Sequence, residues 1–261
     1  MADILEQIAE HNRVIYLNKK LEVSLSEVKD MAYAAPSTKF VFENKLKEEG
    51  MSFICECKKA SPSKGIISED FPYLDIARAY EQAGASCISC LTEPKWFMGS
   101  LDYLEEIASE VSIPVLRKDF TIDEYMIYEA RARKASAVLL ICSILDSQTL
   151  GKYIRICDEL ELTALVEAHD KNECDMALGE GARVIGVNNR NLRDFTVDPA
   201  NCLRLREYVD DKALFVAESG VKSRDEVAVL EEAKVDAVLI GESMMRAEDK
   251  TAFLKSLKGL A

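Results

Sequence analysis

Ala213-Leu-Phe-Val-Ala-Glu218, Ser223-Arg-Asp-Glu-Val-Ala-Val-Leu-Glu-Glu-Ala233 and Ala237-Val-Leu-Ile-Gly241 follow one another in the chain. The outer two are short apolar runs of strand character. The middle one repeats apolar positions at three and four, the period of a helix buried on one face. Working outward from it, further runs of the first kind lie at 52–58, 87–93, 114–118, 137–142, 163–167 and 184–188, with helical stretches such as 73–83 between them. Eight strand–helix units are what a (β/α)8 TIM barrel requires. An open doubly wound sheet usually runs five or six strands and opens on a glycine-rich fingerprint that is absent here. The reading is therefore an α/β protein: residues 1–50 form an N-terminal helical extension packed on the barrel, and residues 51–261 form the barrel. Within the extension, 4–17 and 24–34 have helical periodicity and Pro36 breaks the pattern.

The 261 residues hold 33 Lys and Arg against 46 Asp and Glu, a net charge of −13, with 48% hydrophobic and 30% charged residues. That balance suits a soluble globular chain. The run 137–142 is far short of the roughly 18 apolar residues that span a bilayer, and the first residues lack the basic and apolar regions of a secretory signal. A cytoplasmic protein with no membrane partner is expected. Nucleic acid is excluded as a partner because a net acidic surface repels phosphate backbones. Eight cysteines, about 3% of the chain, are too sparse for a disulfide scaffold. The spacings Cys55-x-Cys57 and Cys87-x-x-Cys90 lie in apolar runs without knuckle turns, with only His11 and His169 to add imidazoles. The thiols are expected to be buried and free, with no metal and no cofactor.

Side chains of a barrel strand alternate between the interior and the helix layer, and active sites form at the C-terminal strand ends. In 52–58 the apolar Phe53, Cys55 and Cys57 share the helix-facing side, so Glu56 and Lys58 point inward at the catalytic end. Other strands end alike: Lys118-Asp119, Glu167, Asn188 with Arg190, and Glu218. Buried charges cost several kcal/mol each unless paired, so such a ring is poorly explained as structure and well suited to acid–base chemistry. Lys58, Lys118 and Arg190 are expected to make a local positive focus within an acidic body.

The loops after the last two strands hold Ser219-Gly220 and Gly241-Glu242. Glycines there let backbone N–H groups approach an anion, and barrels often bind phosphate in these two loops. The loop 61–65, Ser-Pro-Ser-Lys-Gly, is placed to close over it. The residues alone thus describe a barrel enzyme acting on a phosphorylated small molecule through lysine and glutamate.

Seven stretches carry a closer likeness: Glu56-Cys-Lys-Lys-Ala-Ser-Pro-Ser-Lys-Gly65, Leu91-Thr-Glu-Pro-Lys-Trp-Phe-Met-Gly-Ser100, Leu116-Arg-Lys-Asp-Phe120, Leu165-Val-Glu-Ala-His169, Ile185-Gly-Val-Asn-Asn-Arg-Asn-Leu192, Ala217-Glu-Ser-Gly-Val221 and Leu239-Ile-Gly-Glu-Ser-Met244. In order and across the whole barrel, they resemble the indole-3-glycerol phosphate synthase family of tryptophan biosynthesis. The resemblance implies a lyase that closes the indole ring of 1-(2-carboxyphenylamino)-1-deoxyribulose 5-phosphate with loss of carbon dioxide and water. It implies Lys118 as general acid, Lys58 on the substrate carboxylate and Glu167 as the catalytic glutamate of dehydration. Glu56, Asn188, Arg190 and Glu218 match the surrounding polar shell. Phe97, Leu139 and Leu192 match positions that pack on the aromatic ring. Ser61, Lys58, Ser219, Gly220, Gly241 and the backbone of Glu242 match the phosphate site.

The division of roles between the two lysines stays open in the motif. Departures are small: Cys55 and Cys57 replace aliphatic residues, Met98 replaces a polar one, and Glu242 puts a carboxylate beside the phosphate loop, where it must point away. A monomer is expected, with weak self-association left open, and without the fused isomerase or amidotransferase of some relatives. The nearest alternative is a phosphoribosylanthranilate isomerase-like barrel, but that family lacks the extension and uses a Cys/Asp pair. A non-catalytic phosphate-binding barrel is the other alternative, and it would have little reason to retain Lys118 and Glu167.

Overall fold

A computed structural model describes residues 4–191 and 195–260. Three helices come first, α1 (Ile4–Glu22), α2 (Leu25–Ala34) and α3 (Val41–Leu46). Eight strands follow: β1 (Ser52–Cys57), β2 (Cys87–Leu91), β3 (Val115–Lys118), β4 (Ala137–Ile141), β5 (Thr163–Ala168), β6 (Val184–Asn188), β7 (Leu214–Glu218) and β8 (Ala237–Ile240). They form a closed barrel with every neighbouring pair parallel, β1 pairing with both β2 and β8. The strands lie within two residues of their sequence-expected ends.

Between the strands run α4 (Tyr73–Gln82), α5 (Leu101–Glu110), α6 (Glu124–Ala132), α7 (Ser147–Glu159), α8 (Lys171–Gly179), α9 (Ala200–Val209) and α10 (Arg224–Glu232). The short α11 (Glu242–Arg246) and then α12 (Lys250–Leu257) follow β8. Most start on a side-chain cap that satisfies an orphan N–H. Ser24 and Ser223 form full capping boxes with Glu27 and Glu226, and Asp123, Asp146, Asp170 and Asp249 accept from the first turn.

The apolar residues divide into two layers as strand alternation requires. Phe53, Cys55, Cys57, Ile88, Val138 and Val166 pack outward against the helices, while Ile54, Cys87, Leu116, Leu139, Leu165, Val216 and Leu239 fill the barrel. The inner layer is completed by the N-terminal helices at both ends. Leu5 and Ile8 of α1 join it beside Phe97 and Phe120, and Phe42 and Leu46 of α3 join it at the opposite end. There the Glu43 N–H donates to Thr163 Oγ1 at 3.2 Å, and Ser52 Oγ donates to the Lys45 carbonyl at 3.3 Å. Both partners lie at strand starts, so α3 stoppers the N-terminal mouth. Six residues are too few to show a period, so the sequence carries no helical signal there.

One charged residue lies on the apolar, helix-facing side of this alternation. Arg117 faces the helix layer of β3, yet its side chain is only 1% exposed. Its Nη1 lies 3.1 Å from Glu129 Oε2, and its Nη2 lies 3.3 Å from Asp119 Oδ2 and 2.5 Å from the Tyr16 hydroxyl. Tyr16 and Lys19 of α1 also donate to Glu129, at 2.7 and 2.6 Å, while Asn12 donates to Asp119 at 3.0 Å. This buried polar cluster fastens α1 to β3 and α6, which holds Leu5 and Ile8 over the barrel mouth.

Candidate active site

A cavity of about 850 Å3 opens at the C-terminal strand ends. All fourteen expected site residues within the described chain line it: Glu56, Lys58, Ser61, Phe97, Lys118, Leu139, Glu167, Asn188, Arg190, Glu218, Ser219, Gly220, Gly241 and Glu242. Leu192 lies outside the described residues.

The floor is a ring of charges held by strand ends. Lys118 Nζ donates to Glu218 Oε2 at 2.8 Å and stands 3.7 Å from Glu167 Oε2. On β1, Glu56 Oε1 is 2.5 Å from Lys58 Nζ. Two glycines make room for these groups. A Cβ on Gly186 would collide with the Glu218 carboxylate, and one on Gly241 would lie 2.9 Å from Lys58 Nζ and run into Glu56. Gly241 has φ −110°, so it is glycine for space, whereas Gly220 at φ +97° is glycine for conformation. Ser219 is left-handed as well, at φ +66°, a strained backbone of the kind kept at functional loops.

Two ammoniums face three carboxylates in this ring, so one carboxylate is in excess. Burial, together with the neighbouring Glu167, pushes Glu218 up to about 7 against the pull of Lys118. Burial works against the Lys118 ammonium too, but Glu218, Glu167 and Glu56 outweigh it and raise its pKa above the usual lysine value. For Glu56, burial is outweighed by Lys58 and Lys118, which hold the carboxyl below its usual range.

A raised carboxyl destabilises the fold when it ionises. The folded state keeps a proton that the unfolded chain has lost between pH about 4.5 and 7, so stability falls as pH rises through that window. Glu218→Gln is therefore expected to match the wild-type melting temperature near pH 5 and to exceed it by about 5 °C at pH 8. Thermal melts at the two pH values check this; a variant less stable than wild type at pH 8 would contradict it.

The expected positive focus at the rim needs correction. Lys58, Lys64, Lys118, Arg190, Lys222 and Arg246 line the cavity, but so do Glu56, Asp119, Glu167, Glu218, Glu226 and Glu242. The lining is balanced, not cationic, because each buried cation needs a counter-charge. Glu242 is neutralised in place: Arg246 Nε donates to it at 3.1 Å and Lys64 Nζ is 4.0 Å away. Ser61 sits on a small hairpin of Ala60–Ser61 paired with Gly65–Ile66, and Lys64 lies at its tip. Arg190 reaches the Phe195 carbonyl at 3.4 Å, and its N–H donates to Asn188 Oδ1 at 3.0 Å.

The sequence reading missed the apolar wall that α1 supplies through Leu5 and Ile8, and also Phe120 and Ile141. Their apolar character is indistinguishable from core in a sequence. Lys64 falls in the loop 61–65 expected to close over the anion, whereas Lys222, in a loop, and Arg246, on α11, read as ordinary surface cations. All eight cysteines are free and buried, and none lines the cavity. Among the described residues, no three His, Cys, Asp or Glu side chains gather so as to hold a metal ion, and no helix is long and apolar enough to cross a membrane.

A closed parallel barrel whose strand ends gather half-buried lysines and buried glutamates beside a strained Ser-Gly loop places the chain in the (β/α)8 class. Solved structures share this architecture: 3-hexulose-6-phosphate synthase, at 15% identity and TM-score 0.65, over 80% of this chain and 99% of that one, and phosphoribosylanthranilate isomerase from Thermotoga maritima, at 15% and 0.56, over 81% and 100%. At such identity they share the fold alone. Residues 5–257 match the family model of indole-3-glycerol phosphate synthase. Relatives of that name are 52% identical in Ruminiclostridium cellulolyticum, over 99% of this chain and all of that one, and 47% identical in Endomicrobium trichonymphae, over 98% and 99%. The chain belongs to the indole-3-glycerol phosphate synthase family.

Proposed function

We propose that this chain is a decarboxylating lyase of tryptophan biosynthesis, converting 1-(2-carboxyphenylamino)-1-deoxyribulose 5-phosphate to indole-3-glycerol phosphate, carbon dioxide and water. The observation that carries the reading within this family is the half-buried Lys118, hydrogen-bonded to Glu218 and facing Glu167 on the cavity floor. Ring closure joins the ring carbon bearing the carboxylate to the ribulose ketone, and the ketone oxygen takes on charge as the bond forms. An ammonium at that oxygen stabilises and protonates it. Lys118 has this role, and Glu218 and Glu167 aim it.

Lys58 holds the substrate carboxylate until carbon dioxide leaves, and Glu56 fixes Lys58 at 2.5 Å. Glu167 moves the proton of the dehydration half. Asn188 and Arg190 line the ribulose path. Phe97 and Leu139, with Leu5, Ile8 and Phe120, take the aromatic ring. Backbone N–H groups of Ser219, Gly220, Gly241 and Glu242 take the phosphate, with Ser61 beside them and Lys64 and Arg246 balancing Glu242. The working unit is proposed to be a monomer. Eight unpaired thiols suit a reducing compartment, the cytoplasm.

The direct test is the rise of indole fluorescence when purified protein meets the carboxyphenylamino-deoxyribulose phosphate. Turnover is expected to survive exhaustive EDTA treatment unchanged; loss that zinc or magnesium restores would overturn the lysine–glutamate mechanism. The isomerase alternative needs a Cys/Asp pair in the cavity, and none of the cavity's described residues is a cysteine.

A further inference from the structure

The proposed reaction has a proton balance that the ring alone does not close. The ketone oxygen takes two protons and leaves as water. One proton comes back from the carbon beside the nitrogen when the indole becomes aromatic. The carbon–carboxylate bond breaks with its electron pair remaining on the ring, so carbon dioxide carries no proton away. Each turnover of an ionised substrate carboxylate therefore draws one proton from solvent. Glu56, Glu167 and Glu218 are buried on the floor of the cavity that the substrate fills in the proposed reaction, so a proton needs a second way in.

His169 is built like one. It stands two residues after Glu167 and so shares its face of the strand end. Its Nε2 lies 3.4 Å from Glu167 Oε1, and its Nδ1 lies 3.1 Å from Glu173 Oε2. Glu167 Oε1 and His169 Nε2 are both buried and neither has a hydrogen-bond partner among the described residues, so the 3.4 Å between them is an ion-pair approach across which a proton has still to pass. The backbone N–H of His169 also donates to Glu173 Oε2 at 2.7 Å, and Asn201 donates to the His169 carbonyl at 3.0 Å, so the ring is held from behind. With a carboxylate at each nitrogen, only the imidazolium has a proton for both; a neutral ring would turn a lone pair on one of them.

A second cavity of about 510 Å3 lies on the far side of the imidazole, lined by His169, Asp170, Glu173 and Asn201. It adjoins the first, since Leu5 and Asn188 line both. The side chains of His169 and Glu173 are 21% and 19% exposed, against 2% for Glu167. We infer that His169 is a positioning residue for Glu167 and the proton inlet of the site, passing a proton that enters at Glu173 across its ring to Glu167. The inference rests on the proposed function and adds the route of the consumed proton.

The carboxylates acting on the imidazole are Glu173 of α8, Glu167 on β5 and Glu218 from β7, while Asp170, Glu6 of α1 and Asp198 line the second cavity beside it. The facing cation, Lys118, stands beyond Glu167. Burial alone would push the imidazole down; the Glu173 hydrogen bond, with Glu167 and Glu218, raises it to about 9. The relay then works below that pH and fails above it.

The test compares His169→Ala, Glu173→Gln and Glu167→Gln as full chains with the substrate above. His169→Ala is expected to lower kcat at least roughly tenfold with KM within about twofold, and imidazole in the assay is expected to restore part of the loss. Glu173→Gln is expected to move the alkaline limb of the kcat profile from near pH 9 to lower pH. A His169→Ala kcat within twofold of wild type overturns the inference, as does a loss that imidazole leaves untouched. Should His169→Ala fail to fold, an unmoved alkaline limb in Glu173→Gln overturns it equally. Active Glu167→Gln would sink both this inference and the proposed role of Glu167, whereas inactive Glu167→Gln beside fully active His169→Ala would sink the inlet alone.

Discussion

Replacing Lys118 by alanine is expected to lower kcat for indole formation by about three orders of magnitude or more, while leaving the barrel folded and phosphate affinity largely intact. The ammonium sits between Glu218 and Glu167 on the floor, and the Ser219-Gly220 and Gly241-Glu242 turns belong to other strand ends. The chemistry and the anion grip therefore separate. Alanine also leaves Glu218 and Glu167 without their shared cation, so Lys118→Arg is the companion variant. A guanidinium keeps the charge and the pairing but does not give up a proton near neutral pH. It is expected to melt close to wild type and still lose most turnover. Kinetics, thermal melts and competitive inhibition by inorganic phosphate read the three properties separately. Near-wild-type turnover in Lys118→Ala would sink the mechanism.

The second large effect is on stability. Glu129→Ala is expected to cost about 3–5 kcal/mol, because it leaves the Arg117 guanidinium buried with Asp119 as its remaining carboxylate partner. In a chain of this size that lowers the melting temperature by about 10 °C. Burial works against the Glu129 charge, but Arg117 and Lys19 win and hold its carboxyl below the usual 4.5. Its contribution is accordingly complete above pH about 4.5 and drains away as the pH falls through the lower folded value. The gap between wild type and variant should narrow in acid. Melts at pH 7 and at pH 3.5 measure it, and a variant within about 2 °C of wild type at pH 7 would show that this cluster does not fasten α1.

The strands were legible because a barrel strand combines a short apolar run with strict alternation, and residues 52–58 show both. Alternation alone put Glu56 and Lys58 inside and Cys55 and Cys57 outside, which is where they lie. It does not account for the charge of Arg117 on the helix-facing side, whose partners come from α1, 101 residues away for Tyr16, and from α6. No local pattern carries such a partnership. Gly241 was singled out correctly but for another reason, since the space it leaves is taken by Glu56 and Lys58.

The part of the site that stayed hidden is the part made from distant chain. Leu5 and Ile8 look like one face of an ordinary amphipathic helix, and only the closed barrel shows that the face covers a cavity. His169 was within reach of the alternation argument, two residues after Glu167. Its meaning depends on Glu173 one helical turn further on, a spacing that reads equally well as a surface pair.

In the proposed reaction Lys118 and its ring drive a decarboxylating ring closure. It is tested most directly by substrate labelled at the aromatic carboxylate carbon, counting labelled carbon dioxide against indole-3-glycerol phosphate as the purified protein turns over. One carbon dioxide per indole product is the expected result. Retention of the label in the product, or isomerisation of phosphoribosylanthranilate in place of indole formation, would contradict the account.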